Sequence, residues 1–306
     1  MALSAPIAEA LVAVGLDPAS VEPMVRATLA EDLDGGTDVT SEATVPVDQW
    51  ATLDLVSRAE GVAAGIPVAA AVFDIVSGSR ATIVPMAADG DRVSRGSVLL
   101  TVTARTRDLL LAERTALNLL CHLSGVASAT SLWAEALEGT GARVRDTRKT
   151  TPGLRGLEKY AVRCGGGVNH RMSLSDAALV KDNHVVAAGG VAAAFDAVRA
   201  MWPGLPIEVE VDSLEQLSEV LDAGADLVLL DNFDTDSMRR AVTITAGRAL
   251  LEASGGLTLP DAAAVGATGV DFVAVGALTH SAPVLDIGAD LRPLVDSPHP
   301  SERQEN

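Results

Sequence analysis

The chain has 306 residues, enough for one large domain or two smaller ones. Apolar residues make up 48% and aromatic residues 3%, so Ala, Val, Leu and Ile must form the core, as in α/β proteins with buried parallel strands. The net charge of −18 argues against general binding to nucleic acids or acidic membranes. The sequence lacks an apolar run of membrane-spanning length, a basic signal-peptide start and enough cysteines for a disulfide framework. We therefore expect a soluble, cytoplasmic protein.

The first hundred residues predict a mixed α+β unit with an antiparallel sheet. Residues 5–31 are typical of two short helices, and residues 31–46 of a turn-rich loop. Further along, a strand at 51–61 and a helix at 66–78 precede strands at 81–93 and 97–104, which flank an Asp-Gly turn.

A long helix is predicted over residues 106–139. Its apolar stripe runs through Leu110, Leu117 and Leu120, and Arg114 lies beside that stripe at helical spacing. An arginine beside apolar residues needs a partner, because its burial without one is costly. Position alone leaves open whether Arg114 forms a structural ion pair or serves a site.

After residue 142, short apolar runs alternate with helical segments at spacings of about 20 to 36 residues, the rhythm of βα units. The runs are at 142–147, 177–183, 207–212, 226–232, 250–256 and 271–277. Six such strands in one block favour a parallel α/β barrel over an open sheet. The chain has no early GxGxxG between strand and helix, which weakens a dinucleotide-binding interpretation.

Each predicted barrel strand ends at, or runs into, a charged residue or a glycine turn. The carboxyl ends of parallel barrel strands share one rim, where active sites assemble. We expect one site there, formed by Arg148, Lys149, Lys181, Glu210, Asp231, Ser254, Gly255, Gly256 and Gly276. Singly these residues are weak signals, since a glycine pair after a strand is commonly just a turn.

Basic residues concentrate in this part of an otherwise acidic chain. Nine Lys or Arg but only three Asp or Glu lie between Arg143 and Lys181. The glycines at 165–167 would allow tight turns that direct His170 and Arg171 inward. The cations suit carboxylates and phosphates, while Glu210 and Asp231 suit sugar hydroxyls or a divalent ion. The plainer alternatives are a solvated basic helix face and a core histidine.

Together these residues resemble the quinolinate phosphoribosyltransferase family, also called nicotinate-nucleotide pyrophosphorylase (carboxylating). The resemblance spans roughly residues 25–290, and its most specific motifs are DTRKTTPG at 146–153, GGGVNHR at 165–171 and KDNH at 181–184. Cys164 and Ser173 stand where we would expect an apolar residue and a glycine. Neither change affects a residue with an expected role.

The resemblance implies an N-terminal mixed α+β sandwich domain and an open-sided, incomplete TIM-like α/β barrel. We expect the first domain at 1–114, completed by 277–295, the barrel at 115–276 and a disordered tail at 296–306. The implied reaction joins quinolinate to 5-phosphoribosyl 1-diphosphate. It releases diphosphate and CO₂ and gives nicotinate mononucleotide for de novo NAD biosynthesis. Mg²⁺ accompanies the diphosphate, no organic cofactor is needed, and the subunits form a homodimer.

The resemblance also implies roles for individual residues. Arg148, His170, Arg171 and Lys181 would bind the quinolinate carboxylates and neighbouring phosphates, and Lys149 would serve as a substrate-binding and catalytic lysine. Glu210 and Asp231 would lie near the ribose and hold Mg²⁺ indirectly. Ser254, Gly255, Gly256 and Gly276 would cradle the 5′-phosphate, and Arg114 would reach the site of the partner subunit.

Two alternatives stay open on the sequence. A phosphoribosyltransferase for another pyridine carboxylate, such as nicotinate, would need much the same residues, because spacing alone does not count carboxylates. A non-catalytic phosphosugar sensor could keep the phosphate cradle without turnover.

Overall fold

A computed structural model describes residues 3–294 of the chain. The chain divides into two compact units, one comprising the residues up to Gly125 together with those from Val284 onward, the other Val126–Pro283. The domain boundaries expected from the sequence fall after residues 114 and 276, whereas the compact units change at 125 and 283. The expected tail at 296–306 lies outside the described residues.

The first unit is the antiparallel α+β structure expected from the sequence. Its four-stranded sheet has the order β12-β1-β5-β3, and a two-stranded ribbon pairs β2 with β4. The strands are β1 (Trp50–Ser57), β2 (Gly61–Val62), β3 (Thr82–Pro85), β4 (Arg92–Val93), β5 (Val98–Arg105) and β12 (Ile287–Pro293). The helices are α1 (Ala5–Ala13), α2 (Pro18–Leu33), α3 (Val39–Thr44) and α4 (Ile66–Ser77).

The short helix α3 replaces part of the loop predicted at 31–46. The Asp38 carboxylate accepts a hydrogen bond of 3.0 Å from the backbone N–H of Ser41, which is the usual way an aspartate begins a helix. The long helix α5 (Thr106–Ala136) follows β5 and confirms the helix expected there. Leu117 and Leu120 are buried on it, whereas Arg114 is exposed.

The second unit contains the six strands expected from the apolar runs. They are β6 (Arg143–Arg145), β7 (Ala178–Val180), β8 (Ile207–Val211), β9 (Leu227–Asp231), β10 (Leu250–Ser254) and β11 (Phe272–Ala274). Between them lie α6 (Arg155–Cys164), α7 (Asp182–Ala188), α8 (Val191–Met201), α9 (Leu214–Asp222), α10 (Thr235–Thr245) and α11 (Ala262–Gly266), and α12 (Ala277–His280) comes last.

All six strands are parallel and follow the order β6-β11-β10-β9-β8-β7. The order puts β6 and β7 at opposite edges of the sheet, so this is the open-sided barrel that the sequence predicted. Side chains alternate across each strand, and in β8 the buried Val209 lies on the face opposite to Glu208 and Glu210. The inner face of β8 is therefore charged rather than aliphatic.

Within the described residues, no individual helix has the length and apolar character required to span a bilayer. Among the described helices, α7 and α8 reach the length and apolar composition of a membrane span only when they are taken together, and their axes meet at 88°.

Candidate active site

A cavity of about 420 Å³ opens on the second unit, and it is lined mainly by residues at or just beyond the carboxyl ends of the strands. Its walls combine four cations with three carboxylates and a few small or apolar side chains. The lining residues are Thr147, Arg148, Lys149, His170, Arg171, Leu179, Lys181, Glu210, Leu229, Asp231, Glu252, Ser254 and Ala274.

Eight of the twelve residues expected at the site line this cavity. They are Arg148, Lys149, His170, Arg171, Lys181, Glu210, Asp231 and Ser254. Gly255 and Gly256 follow Ser254 directly in the chain, and Gly276 lies next to the side chain of Lys149. Arg114 belongs to the first unit, on α5.

Two arginines in the cavity each have a buried nitrogen that the described part of the chain leaves without a hydrogen-bond partner. The Nε atoms of Arg148 and Arg171 are buried and have no hydrogen-bond partner within residues 3–294. Burial, and after it the charge of Arg148, lowers the pKa of Arg171. Like charges held close together repel each other, and an anion between them would relieve that repulsion.

Facing these arginines, two acids stand at the ends of neighbouring strands. The Lys181 Nζ lies 2.8 Å from Oε2 of Glu210, and the Asn232 side-chain amide donates a hydrogen bond of 2.8 Å to Oδ2 of Asp231. Burial, followed by the charge of Glu210, raises the pKa of Asp231, while Lys181 opposes the shift. The two carboxylates thus form a partly desolvated, mutually repelling pair.

The turn after β10 depends on glycine for its shape. Gly255 has φ +106°, and a Cβ there would lie 2.2 Å from Oδ1 of Asn232 and 2.8 Å from the Asn232 backbone nitrogen. Asn232 itself takes a left-handed φ of +57°, and its backbone N–H donates 2.9 Å to the Ser254 carbonyl. Gly255 therefore lets Asn232 approach closely enough to hold Asp231.

Gly276 likewise allows a close approach, here by the side chain of Lys149. A Cβ on Gly276 would lie 3.0 Å from Cδ of Lys149 and 3.5 Å from Oγ1 of Thr147. The Thr279 hydroxyl donates a hydrogen bond of 2.8 Å to the Lys149 carbonyl, which fixes this part of the chain against β11 and α12. The missing side chain leaves room for the lysine to lie along the wall of the cavity.

The loop that carries His170 and Arg171 is anchored by a buried ion pair. Lys159 and Asp146 are both fully buried and hydrogen-bonded to each other. Lys159 also donates 2.8 Å to the His170 carbonyl, and Asp146 accepts 2.8 Å from the His170 N–H and 2.5 Å from the Asn169 amide. Burial lowers the pKa of Lys159, and Asp146 works against that shift.

This anchoring explains much of the basic stretch in the sequence. Lys159 serves the fold, and Arg155 donates hydrogen bonds to the carbonyls of Met172 and Arg148. Arg163 binds the Asn169 side chain and lies over the Tyr160 ring. Of the nine cations between 143 and 181, only Arg148, Lys149, Arg171 and Lys181 line the cavity. Fewer cations therefore line the cavity than the count along the sequence indicates.

A second charged group, which we call the interior cluster, consists of Arg145, His170, Glu208 and Glu252. The Arg145 Nη1 lies 2.6 Å from Oε2 of Glu252 and 3.4 Å from Oε1 of Glu208. The His170 Nδ1 accepts 2.7 Å from the Arg171 N–H, and its Nε2 lies 2.8 Å from Oε2 of Glu208. Because Nδ1 acts as an acceptor, the ring is neutral and Nε2 carries its proton.

His170, Glu208 and Glu252 lie close enough together to suggest a cation site. The hydrogen bonds do not suit one, because the protonated Nε2 of His170 has no lone pair to offer a metal. Arg145 also occupies the space beside both carboxylates. Burial, and then the charge of Glu208, raises the pKa of Glu252 to about 8, although Arg145 opposes the shift. In this hydrogen-bonding arrangement the cluster is organised around Arg145 rather than around a metal ion.

Sequence reasoning did not single out Glu252, Glu208 or Arg145. A signal was present, since IEVEV has glutamates at alternate positions and LLEAS has one at its centre, in strands that are otherwise mainly apolar. When a strand is buried on both faces, a charged side chain in its middle is also buried, and it needs a partner inside the barrel because an unpaired buried charge is costly.

The fold and the cavity define an α/β-barrel protein with a site for small anionic substrates. The chain matches the models of the quinolinate phosphoribosyl transferase N-terminal domain at residues 38–124 and C-terminal domain at residues 126–290. The chain belongs to the quinolinate phosphoribosyltransferase family, as its motifs indicated.

Individual relatives agree with this assignment. The chain is 54% identical over 271 residues to the nicotinate-nucleotide pyrophosphorylase [carboxylating] of Mycobacterium leprae, covering 87% of this chain and 95% of that protein. It is 39% identical to a probable nicotinate-nucleotide pyrophosphorylase [carboxylating] of Bacillus subtilis, covering 85% and 90%. The crystal structure of NadC from Streptococcus pyogenes superposes with a TM-score of 0.87 at 40% identity, covering 92% of this chain and 99% of that one.

Proposed function

We propose that the protein transfers the phosphoribosyl group of 5-phosphoribosyl 1-diphosphate to quinolinate. The products are nicotinate mononucleotide, diphosphate and CO₂, and the reaction supplies de novo NAD biosynthesis. The proposal depends on the buried Nε atoms of Arg148 and Arg171, which have no hydrogen-bond partner among the described residues. The cavity that these arginines line also holds Lys149, Lys181, Glu210 and Asp231. Family membership gives this arrangement its substrates.

The cations bind and orient the two substrates in this proposal. Arg148 and Arg171 take the pyridine carboxylates, since a guanidinium matches a planar carboxylate with two parallel donors. Lys149 and Lys181 line the same cavity and attract the phosphates of the second substrate. His170 has both ring nitrogens engaged. Its contribution is to form part of the wall and to fix the backbone N–H of Arg171.

Phosphoribosyl transfer then depends mainly on position and charge. The ring nitrogen of quinolinate attacks C1 of the ribose as diphosphate leaves, and positive charge develops on the sugar, as in other glycosyl transfers. Glu210 and Asp231 would lie near that charge and stabilise it. The resulting pyridinium nitrogen then stabilises the carbanion left when the neighbouring carboxylate departs as CO₂.

Magnesium and the 5′-phosphate have suitable positions in this scheme. Glu210 and Asp231 offer hard oxygen ligands, and a cation would offset the burial and the charge of Glu210 that raise the pKa of Asp231. Mg²⁺ bound with the diphosphate would neutralise the charge of the leaving group. The turn at Ser254, Gly255 and Gly256, together with Gly276, would offer backbone N–H groups to a phosphate.

We further propose a homodimer in which Arg114 completes the site of the partner subunit, as family resemblance implies. Arg114 is an exposed residue on α5, which leaves it free for such a contact. A cytoplasmic location remains a prediction from the sequence. Mixing inactive Arg114→Ala with inactive Lys149→Ala protein should restore activity in hybrid dimers that contain one intact site. Activity that stays absent after demonstrated subunit exchange would contradict the shared site.

One product assay tests the reaction itself. The protein is supplied with 5-phosphoribosyl 1-diphosphate, Mg²⁺ and either quinolinate or nicotinate, and diphosphate and CO₂ are measured together. We expect one diphosphate and one CO₂ per quinolinate consumed and little turnover of nicotinate. Preferred turnover of nicotinate would identify a different pyridine substrate. Tight binding of phosphoribosyl diphosphate without diphosphate release under either condition would identify a sensor.

A further inference from the structure

Glu252 is a buried acid on the cavity wall that the scheme above leaves without a task. Its side chain is fully buried, and it nevertheless contributes to the lining of the cavity. Its two oxygens differ sharply in their surroundings. Oε2 accepts a hydrogen bond of 2.6 Å from Arg145, whereas Oε1 is buried and finds no hydrogen-bond partner among the described residues.

The interior cluster determines where a proton on Glu252 must lie. Arg145 supplies one positive charge, His170 is neutral, and Glu208 and Glu252 are both buried beside them. One carboxylate balances Arg145, so electroneutrality leaves the other carboxyl group as the neutral acid. Glu208 accepts from both His170 and Arg145 and so is suited to remain the anion. The proton then belongs to Glu252.

The position of that proton follows from the same contacts. Oε2 of Glu252 already accepts from Arg145, so Oε1 carries the hydrogen. The nearest group in the cluster, Nε2 of His170, is 3.8 Å away and bears its own hydrogen. A proton on Oε1 has no acceptor among the described residues, and Glu252 lines the cavity, so a substrate bound there is the acceptor that we consider.

We propose that Glu252 is the proton donor that completes decarboxylation, a role that rests on the proposed function. The bond between ring carbon C2 and its carboxylate breaks as CO₂ leaves. In the same step the bonding electron pair on C2 takes the Oε1 proton of Glu252 and forms the new C2–H bond. Glu252 is left as a carboxylate opposite Arg145, and solvent restores its proton after the product leaves. No oxidant, reductant or further reactant is required.

Glu252→Gln separates proton donation from shape. The amide oxygen can still accept from Arg145, and the NH₂ group can still face the cavity as a hydrogen-bond donor, but it has no transferable proton. Single turnovers with quinolinate labelled in its C2 carboxyl group report both steps, since diphosphate release follows ribosyl transfer and labelled CO₂ follows decarboxylation. Glu215→Gln, on the exposed surface of α9, is the matched control.

We expect diphosphate release in Glu252→Gln to stay within threefold of the wild-type rate. Labelled CO₂ should appear about 100-fold more slowly, within the usual range for general acid catalysis, and the N-ribosylated dicarboxylate should accumulate. Equal slowing of both steps, or of neither, would overturn the role of Glu252. A wild-type protein that releases no CO₂ from quinolinate would instead overturn the proposed function, so the two failures are distinguishable.

A second measurement keeps the test valid if Glu252→Gln does not fold. The groups that face Glu252 are Arg145 and Asp146 at the end of β6, Glu208 on β8 and His170 in the anchored loop. In the wild-type protein, the CO₂-release step should slow as pH rises through about 8, while diphosphate release in the same turnover does not follow it. A CO₂ step that is independent of pH from 6.5 to about 9 would refute the proposal.

Discussion

The second unit contains two groups of charged residues that are similar in composition but differ in which of their polar atoms have hydrogen-bond partners. The rim comprises Arg148, Arg171, Lys181, Glu210 and Asp231, and the buried Nε atoms of its two arginines have no hydrogen-bond partner among the described residues. In the interior cluster of Arg145, His170, Glu208 and Glu252, the side chains bond one another and only Oε1 of Glu252 is left without a partner among those residues. We expect the arginines with unpartnered nitrogens to serve a ligand and the buried, paired charges to serve mainly the fold. Loss of a rim residue should therefore change kinetics, and loss of an anchoring residue should change stability.

The largest effect is expected from the anchor of the His170 loop. Lys159→Met leaves the buried Asp146 carboxylate without its cation, which should lower the free energy of unfolding by about 3–5 kcal/mol. Urea denaturation measures the change. The control Arg199→Met removes an exposed ion pair with Asp196 and should cost less than about 1 kcal/mol. Similar costs for the two variants would show that the buried pair does not anchor the loop.

Rim arginines should show the opposite behaviour. Arg148→Ala or Arg171→Ala should lower kcat/KM for quinolinate at least tenfold, since loss of one bidentate contact costs about 2–4 kcal/mol in the transition state. Steady-state kinetics gives the value, and Arg239→Ala on the surface of α10 is the matched control. Near-wild-type kinetics in both rim variants would refute the assignment of the site.

Glu252 connects the two groups, and the pH dependence of stability isolates it. Its pKa is about 8 in the folded protein and about 4.5 when exposed, so between these values the folded state binds the extra proton. Its stabilising contribution is therefore full below pH 4.5 and disappears as pH rises through about 8. The wild type should lose stability relative to Glu252→Gln over this window, by a few kcal/mol. Parallel stability curves for the two proteins from pH 5 to about 8.5 would contradict a proton on Glu252.

Two adjacent glycines give the finest test of the rim. Gly255→Ala would push its Cβ into Asn232, which holds Asp231, so kcat/KM should fall about tenfold with a loss of about 1–3 kcal/mol in stability. Gly256→Ala also has positive φ but meets no atom within 4 Å, so it should show only about 1 kcal/mol of backbone strain. Equal kinetics in the two variants would mean that the Asn232 contact does not matter.

Much of this architecture could be predicted from the sequence. The six apolar runs gave the parallel strands, and the residue at the end of each run gave the rim, because strand direction fixes which ends converge. The helix α3 was wrongly assigned to a loop, since its capping residue Asp38 lies in a segment rich in turn formers. The roles assigned to individual rim residues remain predictions.

The interior cluster shows where sequence reasoning stops. A count of basic residues treats Lys159 and Arg145 like Arg148, although the first two are paired inside the protein and the third is not. Which cation finds an acid depends on contacts between residues far apart in the chain, such as Arg145 with Glu252. Alternation in β8 and β10 indicated that Glu208 and Glu252 point inward, but not which of them keeps a proton.

The division between rim and interior can be tested most directly by a thermal melt with and without quinolinate. A ligand that binds only the folded protein raises the melting temperature, with about 2.7 kcal/mol of stabilisation at one hundred times Kd. We predict that Arg148→Ala melts at the wild-type temperature without ligand and loses the rise that quinolinate gives the wild type. A variant that keeps the full rise, or one that melts many degrees lower before ligand is added, would contradict the account.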